Sequence, residues 1–293
     1  MKERVISGIF IFAATVALGL AGGLWLAAAL LLVSVCGYLE LTAALGVREE
    51  GKRISLPEIP GLVAVFVLYA GLMLQTKTTP GTMLDFSAAA GPDLPYADFL
   101  TISVILLLFL CEMGIFVFRF PKDHHDRMFH AVAAFIYAPV MISFIYRCLF
   151  LPYGKIVYAL IFFCSWVGDT CAYFAGRKFG KHKLAPVLSP KKTIEGAIGG
   201  IAGSVLLCLG AAALIAALYH QYLFWQFALI GFCGNLIGQI GDLSASGIKR
   251  NAGLKDYGHL IPGHGGIMDR FDSVIFTAPV LYFLAAWLIR VLD

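Results

Sequence analysis

Nine long apolar stretches constrain this chain more than any other feature. A helix that crosses a bilayer needs about 20 predominantly apolar residues. Windows of that kind fall at 5–20, 24–45, 61–75, 99–118, 128–150, 156–176, 194–218, 223–248 and 273–292. Nine such helices use about 180 residues, close to the whole apolar complement of a chain of 293 residues that is 60% hydrophobic. Only 14% of the residues are charged, against about 25% in soluble globular proteins, and the mean hydropathy is +0.84. A disordered chain, a coiled coil, a nucleic-acid-binding tail protein and almost any soluble enzyme are excluded. The expected fold is all-α: a polytopic membrane protein of about nine transmembrane helices, forming a single membrane domain over 1–293.

The charges give the chain a direction. With nine spans, one side receives the N-terminus and the loops around 48–53, 119–127, 177–192 and 249–270. These carry 18 of the 22 lysines and arginines. The other side receives only Lys77, Arg147, Lys155 and Arg290. Basic residues concentrate on the cytoplasmic side, so the N-terminus is expected there. Lys2, Arg4 and the run that follows them also resemble a signal peptide. The next apolar run follows at once, however, and losing the first span would spoil the asymmetry. The 76–98 loop, with Asp85, Asp93 and Asp98, reads as an outer surface connection. Pro139 is expected to kink the fifth helix. The seven cysteines lack the spacing of a metal knot or disulfide framework and read as small apolar core residues.

Polar residues inside the spans are rare and therefore informative. Glu40 and Glu112 each read as buried hydrogen-bonding groups or as functional acids, and the sequence leaves that open. Asp169 lies near the cytoplasmic end of its span, beside a loop with six basic residues. In that loop Ser189-Pro190-Lys191-Lys192-Thr193 precedes a helix start, and a helix N-terminus with two lysines receives anions well. The densest polar region is Gly241 to Asp272. Asp242, Ser246 and Lys249 are spaced i, i+4, i+7 and share one face of a helix. A carboxylate there can hold a hard cation, the hydroxyl can coordinate the same cation or bond a phosphate, and the ammonium supplies a point charge for phosphate. Asp269 and Asp272, flanking Arg270, open the last helix and also share a face. Before them comes a glycine run, Gly263-His264-Gly265-Gly266, whose backbone lets an anionic ligand approach closely. Carboxylates, cations and a glycine loop together describe a metal–phosphate site.

The run Ser246-Gly-Ile-Lys249-Arg250, then Lys255-Asp256, then Ile261-Pro-Gly-His264-Gly-Gly-Ile-Met-Asp269-Arg270-Phe-Asp272 resembles the signature of the phosphatidate cytidylyltransferases. The Ser189–Gly196 segment, the Gly168-Asp169 element and the multi-span layout also resemble that family. Helices within 1–150 carry no recognised motif, and 151–293 holds the catalytic helices and loops. The resemblance implies transfer of CMP from CTP to phosphatidate, giving CDP-diacylglycerol and pyrophosphate, with one or two Mg2+ ions. It implies a bacterial inner-membrane enzyme whose site faces the cytoplasm. Asp242, Ser246, Lys249, Arg250, Asp269 and Arg270 are the expected catalytic residues, and Asp242, Asp269 and Asp272 the metal ligands. Asp169, Lys191, Lys192, Lys255, Asp256, His264, Gly265 and Gly266 are expected to bind substrate. The expected partners are CTP, phosphatidate and membrane lipids; a homodimer is compatible with the reading, and nucleic acid is not a partner.

A CTP-dependent lipid kinase is the nearest rival, and it would move only a phosphate. A transporter would place its polar site near the midplane, often with internal repeats; here the cluster lies at the membrane edge, with no convincing repeat. A CDP-alcohol phosphotransferase is disfavoured because its paired aspartates are missing. Glycines 196, 199, 200 and 203 read as helix packing.

Overall fold

The computed structural model describes residues 2–49, 51–76, 94–258 and 265–290. Residues 77–93 of the expected outer loop and His264 lie outside the described residues; Asp98, expected in that loop, lies in the helix Leu94–Arg119. The helices are α1 (Lys2–Ala21), α2 (Gly23–Ala44), α3 (Ile59–Thr76), α4 (Leu94–Arg119), α5 (His125–Phe135), α6 (Met141–Arg147), α7 (Gly154–Phe179), α8 (Ile194–Tyr219), α9 (Phe224–Asn251) and α10 (Met268–Arg290). Among the described residues, eight helical stretches are long and apolar enough to cross a membrane, and a shorter apolar helix covers Gly8–Ala21. The all-α polytopic architecture is therefore as expected. Pro139 sits in a π-helical segment, Ile136–Val140, joining α5 to α6. Proline removes a backbone donor, and a π turn absorbs the missing bond.

Two compact units are present. The first takes the described residues of 2–76, 94–146 and 248–270; the second takes those of 147–247 and 271–290. The last turn of α9 and the first of α10 thus group with the first unit.

In the first unit, α2, α3 and α5 bury Tyr38, Leu41, Leu68, Leu72 and Phe135. The Ser34 and Tyr69 hydroxyls share a 2.8 Å hydrogen bond between α2 and α3. Glu58 is fully buried, and it accepts from Thr42 at 2.6 Å and from Arg48 at 2.8 Å. A buried carboxylate needs such donors.

In the second unit, α7 and α8 approach closely because the contact is lined by small residues. A Cβ at Gly196 would meet the Ala172 carbonyl, and one at Gly200 the Gly168 carbonyl. Gly199 and Gly203 face Ala175 and Cys171, so all four α8 glycines serve packing. Gly234, Gly238 and Gly241 do the same for α9 against Leu281, Thr277 and Asp272 of α10. Polar side chains tie the same helices together. Ser204 and Asn235 both donate to the Cys164 carbonyl, at 2.9 and 3.2 Å, and Gln239 donates to the Ala197 carbonyl at 3.1 Å.

A two-stranded antiparallel hairpin, β1 (Lys183–Ala185) and β2 (Ser189–Thr193), precedes α8. The sequence suggested only an approach to a helix start. Thr193 ends the strand and caps α8, its Oγ1 accepting from the Gly196 amide at 3.2 Å. Glu195 in the first turn of α8 pairs with His182 Nδ1 at 2.7 Å, which fastens the hairpin to the helix.

Candidate active site

The second unit builds a cavity of about 350 Å³ between α7, the hairpin, α8 and α9. Asp169, Tyr173 and Arg177 line it from α7, Lys191 and Lys192 from β2, and Gln239 from α9. Strand alternation and helix spacing place each of them. Asp169, Tyr173 and Arg177 are four residues apart on α7 and so share a face. Lys191 and Lys192 arrive on the short strand that the Thr193 cap terminates. The Lys192 ammonium donates to Asp242 Oδ2. Asp242 also lies within electrostatic reach of Asp169. The wall therefore combines one carboxylate, Asp169, with the three cations Arg177, Lys191 and Lys192, while Tyr173 and Leu184 add apolar surface; Asp242 joins it through Lys192. Tyr173 and Phe174 are 60% and 63% exposed, so the cavity has an open aromatic edge.

The first unit holds a second cluster, centred on Asp269. Its Oδ1 accepts from Lys249 at 2.7 Å. Its Oδ2 accepts from the Tyr257 and Gly266 amides at 2.8 and 3.0 Å. The Lys249 ammonium also stands 5.4 Å from the centre of the Tyr257 ring. One carboxylate thus gathers the end of α9, the following loop and the start of α10. Gly265 adopts φ 85°, and a Cβ there would lie 2.8 Å from Asp269 Oδ2, so both conformation and space call for glycine. Gly253, at φ 68°, ends α9, and the Leu254 amide returns to the Lys249 carbonyl at 2.8 Å, a Schellman-type closure.

Glu40 is the residue whose part here the sequence left open. From α2 it accepts the Ile267 and Met268 amides at 3.0 and 2.9 Å. It satisfies donors at the start of α10 and complements the positive end of that helix. Its signal in the sequence was a lone acid in an apolar helix. Glu40→Ala is expected to cost about 1.5–3 kcal/mol, because hydrogen bonds to a charged acceptor are lost and two amides are left unpaired. Thermal unfolding of the purified protein checks this, with Glu40→Gln expected to fall between the two.

Asp242, Ser246 and Lys249 all lie in the last turns of α9, so their helical spacing is realised. Asp269 and Asp272 lie in the first turns of α10. Asp272 Oδ1 accepts from the Ser273 amide at 2.7 Å. Ser246 is half-buried, and Arg250, Lys255, Asp256 and Arg270 are exposed. Asp256 comes near the position a Gly265 Cβ would take. Among the described residues, no three His, Cys, Asp or Glu side chains are grouped as a ready metal cluster.

The family model of the cytidylyltransferase family matches residues 2–288. The chain is 31% identical to the phosphatidate cytidylyltransferase of Staphylococcus saprophyticus, over 97% of this chain and 98% of that protein. It is 32% identical to that of Staphylococcus aureus, again over 97% and 98%. A phosphatidate cytidylyltransferase of Synechocystis is 43% identical over 144 residues, 48% of this chain and 47% of that protein. A match across nearly the whole length, on an all-α membrane scaffold, agrees with the resemblance carried by the signature residues: the chain belongs to the cytidylyltransferase family.

Proposed function

We infer that this protein transfers CMP from CTP to phosphatidate, forming CDP-diacylglycerol and releasing pyrophosphate. Full-length similarity to proteins named phosphatidate cytidylyltransferase supports the reading. The observation that carries it in the structure is the cavity beside α7, where Arg177, Lys191 and Lys192 stand with Asp169 in a wall that also holds Tyr173 and Leu184. A polyphosphate needs the cations, and a lipid substrate needs apolar surface next to them.

In this reaction an oxygen of the phosphatidate phosphate attacks the α-phosphorus of CTP. The bond from that phosphorus to the bridging oxygen breaks, and pyrophosphate leaves with the electron pair. A phosphate monoester with a second pKa of about 6 is mostly dianionic at neutral pH, so no strong base is needed. The obstacle is bringing two polyanions together, and catalysis rests on positioning and charge neutralisation. Lys191, Lys192 and Arg177 receive phosphoryl oxygens in the cavity. Lys249, Arg250 and Arg270 serve as further cations of the signature, and Ser246 as a hydroxyl donor to phosphate. Lys255, Asp256, His264, Gly265 and Gly266 serve nucleotide binding.

The donor set suits Mg2+, which takes one or two carboxylates and completes its shell with phosphate oxygens and water. Asp242 is the first ligand we propose, with Asp169 beside it; Asp269 and Asp272 are the further carboxylates. A bound ion would supply neutralisation of phosphoryl charge. Lys192 also serves as a counter-charge of Asp242.

Purified protein given CTP and phosphatidate should release pyrophosphate in step with CDP-diacylglycerol, detected by mass spectrometry. Omitting phosphatidate or adding a chelator should abolish both. Pyrophosphate release without phosphatidate would refute the assignment.

The reading includes a bacterial inner membrane and a cytoplasmic site, which the asymmetry of the basic loops supports. Val187 at the hairpin is 89% exposed. A Val187→Cys thiol is expected to react with a membrane-impermeant maleimide in inverted vesicles and to be protected in spheroplasts. The opposite pattern would invert the topology.

A further inference from the structure

One polar side chain of the cavity wall is not needed to hold phosphate or metal. Gln239, on α9, lines the cavity together with Asp169 and Lys192. A glutamine amide offers two N–H donors and one oxygen acceptor. Both donors are committed: Nε2 donates to the Ala197 carbonyl at 3.1 Å and to Asn235 Oδ1 at 2.7 Å. The Asn235 amide is directed in turn, its Nδ2 donating to the Cys164 carbonyl at 3.2 Å. Backbone carbonyls only accept, so neither amide reverses without setting oxygen against oxygen. Two glycines make room for the arrangement. A Cβ at Gly168 would collide with Asn235 Nδ2, and one at Gly200 would crowd its Oδ1 at 3.3 Å. Asn235 is buried, while Gln239 is half-buried. The polar atom that Gln239 has left for the cavity is therefore Oε1, which has no donor among the described residues.

We propose that Gln239 Oε1 accepts a hydrogen bond from the nucleoside part of the nucleotide and so helps set which nucleotide the cavity takes. This assignment rests on the transfer of CMP from CTP inferred above and extends it to the base or the sugar. Arg177, Lys191 and Lys192, in the same wall, are donors without acceptors and suit phosphoryl oxygens. A fixed amide oxygen repels those same oxygens and calls for a neutral N–H or O–H. CTP brings three such groups: the cytosine 4-amino group and the 2′ and 3′ hydroxyls of ribose. Phosphatidate, with two glycerol oxygens esterified and the third on phosphorus, brings none outside its phosphate. An analogue that presents a carbonyl or only hydrogen at the contact leaves Oε1 desolvated and unpaired, which is how a polar pocket discriminates.

The test measures binding of labelled CTP to the full chain in detergent and its displacement by UTP, dCTP and 3′-deoxy-CTP. These lack the 4-amino group, the 2′-hydroxyl and the 3′-hydroxyl in turn. At least one is expected to compete about 10-fold or more worse than CTP with the wild type, the scale of one unpaired acceptor, and it identifies the donor. In Gln239→Met that analogue and CTP should compete equally, because CTP falls to its level, while the other analogues keep their ratios to CTP. Should that variant not fold, Gln239→Asn, which withdraws the oxygen by one methylene, takes its place with the same expectation. Equal competition by all three analogues with the wild type, or ratios that the substitution leaves unchanged, overturns the proposal. CMP transfer to phosphatidate is followed on the same samples. Discrimination in binding without transfer strikes the transferase reading and leaves the acceptor in place; transfer without discrimination strikes the acceptor alone. A folded wild type that binds no CTP overturns both.

Discussion

Asp242→Asn is expected to lower the rate of CMP transfer by at least about 100-fold, the scale of losing one charge-stabilising group from a preorganised site. Stability should barely change. Lys192 and Asp242 have side chains 27% and 28% exposed, and a pair that open to water contributes at most about 1 kcal/mol. The amide keeps the shape and the oxygen acceptor but loses the charge that holds a cation. Steady-state kinetics and thermal unfolding on one preparation separate the effects. A collapsed melting temperature with unchanged turnover in the folded fraction would make Asp242 a structural residue only.

Asp269→Ala should do the reverse in part, harming both stability and turnover. Here the partners are enclosed: the side chains of Asp269 and Lys249 are 6% and 14% exposed. Removing one member of a buried pair leaves an uncompensated charge and costs about 3–5 kcal/mol. The Tyr257 and Gly266 amides lose their acceptor as well. Hydrogen exchange at these two amides should accelerate strongly in the variant. Asp269→Asn, which keeps one acceptor oxygen, should fall between wild type and alanine. Amides that stay protected in Asp269→Ala would contradict the role of this carboxylate in tying the loop to α10.

The spans were legible because hydrocarbon selects for long apolar runs, and those runs survive without knowledge of any neighbour. Their ends were less so. The last apolar window opens at 273, yet α10 begins at Met268. Its first turn is polar and is satisfied by Glu40 from α2, 228 residues away in sequence from Met268; no local pattern encodes that bond. The end of α9 was similar: polarity suggested a stop near 248, while the helix runs to Asn251 and closes at Gly253. The hairpin was hidden for another reason. Three and five residues rich in lysine, with Pro190 among them, have little strand propensity of their own, and β2 is held by its pairing with β1 and by the Thr193 cap.

The candidate site was legible as chemistry and not as geometry. Residue types and the spacing on α9 singled out Asp242, Ser246 and Lys249 as candidates. The pairing of Lys192 with Asp242, fifty residues apart, needed the fold, and so did the entry of Arg177 and Gln239 into the cavity wall. Glu112 shows the same limit: a lone acid in a span announces itself in sequence, while its lack of a hydrogen-bond partner among the described residues is visible only in the fold.

The central claim concerns which phosphorus of CTP reaches the lipid. Purified protein in detergent, with phosphatidate and Mg2+, should be given CTP labelled at the α-phosphorus and, separately, at the γ-phosphorus. The account predicts α-label in the lipid product, γ-label only in pyrophosphate, and loss of both transfers in Asp242→Asn. γ-Label in lipid with none from the α-position would contradict it and make the protein a lipid kinase.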